Sequence, residues 1–170
     1  MMKTLELEIA VANYFGIRKN LIVPNVSWGF GLKYEADLMI LTDSGCLYEV
    51  ELKVTKSDMK AEKKKYRAHS CRYVKYLFYA FPEQYLETAV EIFPEDAGLL
   101  VATTLKNGSI RINLKRKPKQ REYEKLTIEK KFQLARLGAM RIWSLKSVIN
   151  SRIPKQLDID FTENKWFEDD

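Results

Sequence analysis

The chain has 170 residues, with 29 Lys+Arg against 23 Asp+Glu and a formal charge of +6. Hydrophobic residues make up 46% and charged residues 31%, which fits one soluble globular domain and excludes a disordered chain. No apolar run approaches the ~20 residues of a membrane helix, and two cysteines with one histidine exclude a disulfide framework and a multi-histidine metal site. Glu6 and Glu8 stand where a signal peptide has its apolar stretch. A reducing, cytoplasmic setting without membrane contact is therefore expected. The charge is segregated: residues 101–150 hold 13 basic and 3 acidic side chains, whereas residues 1–50 hold 4 basic and 6 acidic. A separate basic region suits a polyanionic partner, or a plain solvated surface.

Residues 4–15 read as a helix that stops at Gly16, with Leu5, Glu8, Ile9, Ala12 and Phe15 on one stripe. Glu6 falls on a different face. Residues 21–26 form a short strand, and Pro24 sends it to a sheet edge. Residues 27–31 make a loop whose Trp28 and Phe30 can stack on bases or plug the core. Residues 34–41 and 46–54 are strands joined by the Thr42-Asp43-Ser44-Gly45 turn, hence antiparallel neighbours.

A helix is predicted over 56–68, with Thr55 as its cap and Asp58 completing a capping box. Residues 73–81 are apolar enough for a central strand. Pro82 is read as the start of a helix running to Ile92. A buried strand over 97–102 leads through a tight Asn107-Gly108 turn to a strand over 109–114. Residues 115–121 read as a basic connector, followed by two helices over 123–137 and 139–149. The order predicts an α/β domain with a mixed sheet flanked by helices. The domain spans 1–150, with a core at about 5–114 and a helical extension at about 115–150. An acidic tail follows at 151–170.

Alternation places Leu47, Glu49, Glu51 and Lys53 on one strand face, and Glu35, Asp37 and Met39 on one face of the preceding strand. Asp37 and Glu51 can meet across the hairpin. Two carboxylates so held form a hard oxygen site suited to Mg²⁺ or Mn²⁺. Such an ion polarises a phosphate and acidifies water. Lys53 projects to the same side, where it can orient water and neutralise phosphate charge. Glu8 on the first helix can add a carboxylate. The alternative is a solvated strand face with cross-strand ion pairs.

Asp37 followed after a hairpin by Glu51-x-Lys53, between an acid-bearing and a basic helix, resembles the PD-(D/E)xK nuclease superfamily. Ala36 stands where that pattern usually has Pro. The run from Glu49 through Lys53, Asp58 and Lys64 to Phe81-Pro82, with the later Phe93-Pro94-Glu95-Asp96-Ala97-Gly98-Leu99, is similar to the MmcB-related group of DNA repair proteins. The likeness covers about residues 5–105. It implies a restriction-endonuclease-like fold and a divalent-metal phosphodiester hydrolase acting on DNA. By position, Asp37 and Glu51 would ligate the ion, Lys53 would serve the water, and Glu8, or failing it Glu6, would be the first-helix acid. Asp58 either shares that pattern or caps its helix.

Lys56, Lys60, Lys63, Lys64 and Arg67 form a phosphate-tracking surface or a solubilising helix face. His69 reads as a helix-end residue, and Cys46 and Cys71 as plain thiols. Trp166 and Phe167, among the tail's acids, can anchor the tail or bind a protein partner. The competing readings are a catalytically inactive nucleic-acid-binding module of the same fold, or an interaction subunit of a repair machine.

Overall fold

Six strands pair side by side in sequence order. The computed structural model describes residues 2–27, 30, 32–65 (side chains of 63–65 excepted) and 71–152. Trp28, His69, Trp166, Phe167 and the rest of the tail beyond Arg152 lie outside the described residues, as do Arg67 and the side chains of Lys63 and Lys64. The elements are α1 (Thr4–Phe15), β1 (Leu21–Val26), β2 (Ala36–Leu41), β3 (Leu47–Leu52), α2 (Lys56–Lys65), β4 (Val74–Pro82), α3 (Leu86–Ile92), β5 (Gly98–Thr104), β6 (Ile110–Arg116) and α4 (Ile128–Arg152). β1, β2 and β3 run antiparallel, β3, β4 and β5 run parallel, and β6 returns antiparallel to β5. This is an α/β fold built on a mixed, open sheet. The parallel pairs require helical crossovers, which α2 and α3 supply. Among the described residues no helix is long and apolar enough to cross a membrane.

The sheet is buried on both faces. Leu38, Ile40, Val50, Leu52 and Phe78 pack with Leu7 and Val11 of α1. On the other face Leu77, Tyr79, Phe81 and Leu99 pack with Met59 of α2 and Ala89 of α3. At the β1–β2 end of that face, Met39, Leu41 and Leu47 pack with Leu134 of α4. Phe30 belongs to this cluster and is buried, so it plugs the core. Pro24 lies on β1, which is an edge strand as its chemistry requires.

Four expectations need correction. The α1 stripe is rotated: Leu7 and Val11 are its buried pair, while Leu5 and Ile9 face outward at 62% and 53% exposure. Both stripes satisfy helical spacing, and packing on the sheet selects one. Pro82 ends β4 instead of opening a helix, and a short 3₁₀ turn over Glu83–Tyr85 precedes α3. Residues 117–127 form neither helix nor strand, and one helix replaces the expected two. Gly138 interrupts nothing, because it lies within α4 where a Cβ would come 3.2 Å from Val23.

The fourth correction concerns the basic connector, which is a tied strap. The amides of Lys119, Arg121 and Glu124 donate to the carbonyls of Asp96, Lys75 and Arg72 at 2.8–3.0 Å. Arg121 pairs with Asp96 at 3.2 Å. Arg116 donates to the carbonyls of Ala97, at 2.9 Å, and of Pro94. These bonds satisfy the strap's backbone, so no helix forms before Ile128.

The chain divides into two compact units, residues 1–138 and 139–170. In the second, the described residues 139–152 are the continuation of α4, and Ile142, Trp143 and Leu145 are exposed on it.

The turn held by Arg116 and Arg121 leads into Gly98, where a Cβ would collide with the Phe78 ring and lie 3.0 Å from Pro118. Gly98→Ala should therefore cost about 1–3 kcal/mol by overpacking. Gly138→Ala should cost less, because its contact with Val23 at 3.2 Å is milder than the collision at Gly98 and alanine gains helix propensity. Thermal unfolding of the two variants checks the order.

Candidate active site

The β2–β3 ladder stops at the Leu38↔Val50 pair. Beyond it, side chains take over the backbone amides. The Leu52 amide donates to Asp37 Oδ2 at 2.7 Å, and the Asp37 amide points to Glu51 Oε1 at 3.5 Å. Each carboxylate thus reaches across to the other strand where the ladder ends, Glu51 to the Asp37 amide and Asp37 to the amide that follows Glu51. β3 meanwhile stays on β4, with Glu51 opposite Tyr79 and the Lys53 amide bonded to the Ala80 carbonyl at 2.9 Å.

Lys53 is buried, and its ammonium lies 2.9 Å from Glu51 Oε2 and 2.9 Å from Glu62 Oε2. Glu51 and Glu62 are buried as well. Burial alone would lower the Lys53 pKa, but the two carboxylates more than offset it and hold the ammonium charged. The Tyr79 hydroxyl donates to Glu62 Oε1 at 3.3 Å, and the same ring stacks on Phe93 at 4.0 Å. Farther along β3, Glu49 is fully buried and accepts the Tyr34 hydroxyl at 2.9 Å.

Glu8 reaches the site from α1, close enough to Asp37 for the two charges to repel. Burial, aided by that repulsion, raises the Glu8 pKa. Burial also raises the Asp37 pKa against the opposing pull of the Leu52 amide and Lys53, and the Glu62 and Glu35 charges add to the rise. Among the described residues, acids therefore outnumber the one buried cation here. Their hard oxygens and surplus negative charge fit a divalent ion such as Mg²⁺, which keeps several waters on one or two carboxylates. Among the described residues no group of three or more acidic, histidine or cysteine side chains converges tightly enough to ligate an ion alone.

Other candidates are apart from this cluster. Glu6 is exposed and caps α1 by accepting the Lys3 amide at 2.8 Å. Asp58 accepts the Thr55 hydroxyl at 2.8 Å, and its amide donates to Thr55 Oγ1 at 3.2 Å, so it serves the helix start. Lys56 and Lys60 are exposed on α2, whereas Met59 and Glu62 are buried. Cys46 and Cys71 are free thiols, and burial pushes the Cys71 thiol up.

The model of a family described as "DNA repair protein MmcB-like" matches residues 3–148. The chain belongs to the MmcB-like family. That membership associates it with DNA repair. No curated protein matches significantly. A solved structure, the SPO1766 protein of unknown function from Silicibacter pomeroyi, aligns with a TM-score of 0.64 at 17% identity, covering 93% of this chain and 99% of that one. At that identity the likeness concerns the fold.

Two members of the MmcB-like chain's buried cluster escape a reading of strand alternation. Glu62 is hidden among lysines in sequence, and its signal is its place three residues after buried Met59. Tyr34 precedes β2, and nothing in its spacing marks it as the partner of Glu49.

Lys53→Met would leave Glu51 and Glu62 facing each other. Their folded-state pKa values would rise above the unfolded value of about 4.3. Raised carboxylates destabilise the fold as pH climbs through and above that value. The variant should fall short of the parent by about 3–5 kcal/mol at neutral pH and recover toward pH 4. Denaturant unfolding across pH checks this, and a deficit independent of pH would refute the charge coupling.

Proposed function

We propose that this MmcB-like chain is a metal-dependent DNA nuclease of the PD-(D/E)xK type, with a restriction-endonuclease-like fold. The observation that carries the reading is the meeting of Asp37 and Glu51 at the end of the β2–β3 ladder, beside buried Lys53. Asp37 and Glu51 would hold Mg²⁺ or Mn²⁺. When bound, the ion supplies Lewis-acid stabilisation of the phosphate and acidifies an attacking water.

The chain's own groups divide the remaining work. Lys53 is held as an ammonium by Glu51 and Glu62, so it is unsuited to be a base. It instead orients the phosphate and offsets charge that develops on it. Glu62 is a positioning residue for Lys53. Glu8 has a raised proton affinity and is the group suited to take a proton from water. Lys56 and Lys60, with Lys63, Lys64 and Arg67 farther along the chain, would track the DNA backbone.

A second reading is a DNA-binding module that does not cleave. It is favoured by the Glu51–Lys53–Glu62 arrangement, which neutralises the lysine without any substrate.

Nicking of supercoiled plasmid separates the two. The parent should nick in Mg²⁺ or Mn²⁺, and Asp37→Asn and Lys53→Gln should each lose about 100-fold or more in rate while still retarding DNA in a gel. Nicking that persists in chelator would sink the metal mechanism. Retardation by the parent with no nicking under either ion would favour the binding module.

A further inference from the structure

A cavity of about 390 Å³ opens beside the buried Tyr34–Glu49 bond. Its wall combines three aromatic side chains, Phe30, Tyr34 and Tyr73, with three cations, Lys33, Arg72 and Lys130. Cys71 and Leu32 also line it, and among the described residues no acid does. The cations are arranged over rings: the Lys130 ammonium sits 5.3 Å from the Phe30 centroid, and the Arg72 guanidinium 5.0 Å from that of Tyr73. Arg72 also donates to the Tyr73 hydroxyl at 2.8 Å and pairs with Glu124 at 3.4 Å across exposed surface. Lys130 donates to the neutral Gln133 at 3.0 Å.

We propose that this cavity binds one unpaired nucleotide of a nucleic-acid strand, with the base against Tyr73 and its neighbours and the phosphate among Lys33, Arg72 and Lys130. Aromatic faces with adjacent cations are what a base and its phosphate require together. The volume suits a single small-molecule-sized unit. A duplex cannot enter, so the nucleotide must be single-stranded or turned out of its stack.

The location ties the cavity to the carboxylates. Tyr34 lines it and bonds Glu49, which precedes Glu51 by two residues on the same strand face, about 7 Å away. A second cavity of about 390 Å³ shares Leu32, Lys33 and Tyr34 and reaches Glu35, two residues before Asp37. A strand threaded along residues 32–35 would thus run from the aromatic pocket toward the candidate scissile position. The inference rests on the nuclease reading only for that last step, and it names unpaired strands as the substrate class.

The test is binding in chelator, where cleavage plays no part. Fluorescence anisotropy is read with a labelled oligothymidylate of about ten nucleotides and with a blunt duplex of equal length. The parent should prefer the single strand. Tyr73→Ala and Arg72→Ala should each weaken that binding about tenfold, while Tyr73→Phe keeps it. Arg72 is exposed, so its variant reports even if Tyr73→Ala is poorly folded. Thymidine monophosphate should displace the strand more effectively than inorganic phosphate. Unchanged binding by Arg72→Ala and Tyr73→Ala, equal competition by phosphate, or equal affinity for the duplex would each overturn the proposal. Weakened single-strand binding in these variants, beside a parent that cuts nothing, would leave the pocket standing and remove the nuclease reading alone.

Discussion

A lysine ammonium enclosed by protein is tolerable only where carboxylates replace the water it has lost, and Lys53 has two of them. Much of the surrounding architecture follows from that need. Glu51 reaches it from the neighbouring position on its own strand face. Glu62 must come from α2, so α2 turns Met59 and Glu62 to the sheet and exposes Lys56 and Lys60. Tyr79, opposite Glu51 on the adjoining strand, holds Glu62 through its hydroxyl and anchors the β4–α3 region by stacking on Phe93. Charge thus ties α2 to β3, and aromatic stacking ties the end of α3 to β4.

The same arrangement separates the acids by proton affinity. Glu51 and Glu62 share the Lys53 ammonium, whereas Asp37 and Glu8 sit where burial and like charge favour their protonated forms. Asp37 is also structural, because its carboxylate closes the ladder by taking the Leu52 amide. An acid that finishes a hairpin and faces a second acid is well placed to hold a cation, since its orientation is set by the backbone before any ligand arrives. The surplus of negative charge at the hairpin end stands in contrast with the basic, aromatic cavity beyond Tyr34. The two regions are joined by Glu49, buried between them.

The turn at Gly45 and the antiparallel pairing of β2 with β3 were legible because alternation and a short connection leave little choice of register. The α1 face was not, since Leu5–Ile9 and Leu7–Val11 satisfy helical spacing equally and the sheet alone discriminates. Residues 117–127 carry good helix formers, yet their backbone bonds run to Asp96, Lys75 and Arg72 and they form no helix. Thr127, whose hydroxyl accepts the Lys130 amide at 3.3 Å, marks the real helix start, a cap visible in sequence but outcompeted by the apolar pattern around it. Glu62 and Tyr34 entered the site through pairings that no local period encodes. The aromatic cavity draws on residues from 30 to 130, a separation beyond the reach of any local motif.

The strap has a bearing on how charge composition translates into ion release. Residues 101–150 hold 13 basic side chains, but Arg116 and Arg121 are engaged with the Pro94–Ala97 turn. A cation already satisfied inside the fold displaces no counterion from a phosphate backbone. Each phosphate neutralised steepens the salt dependence of affinity by about 0.9 in the logarithmic slope for duplex DNA, and these two arginines add nothing to it. The chain's response to ionic strength is thus set by fewer groups than the 13 basic side chains of residues 101–150 imply.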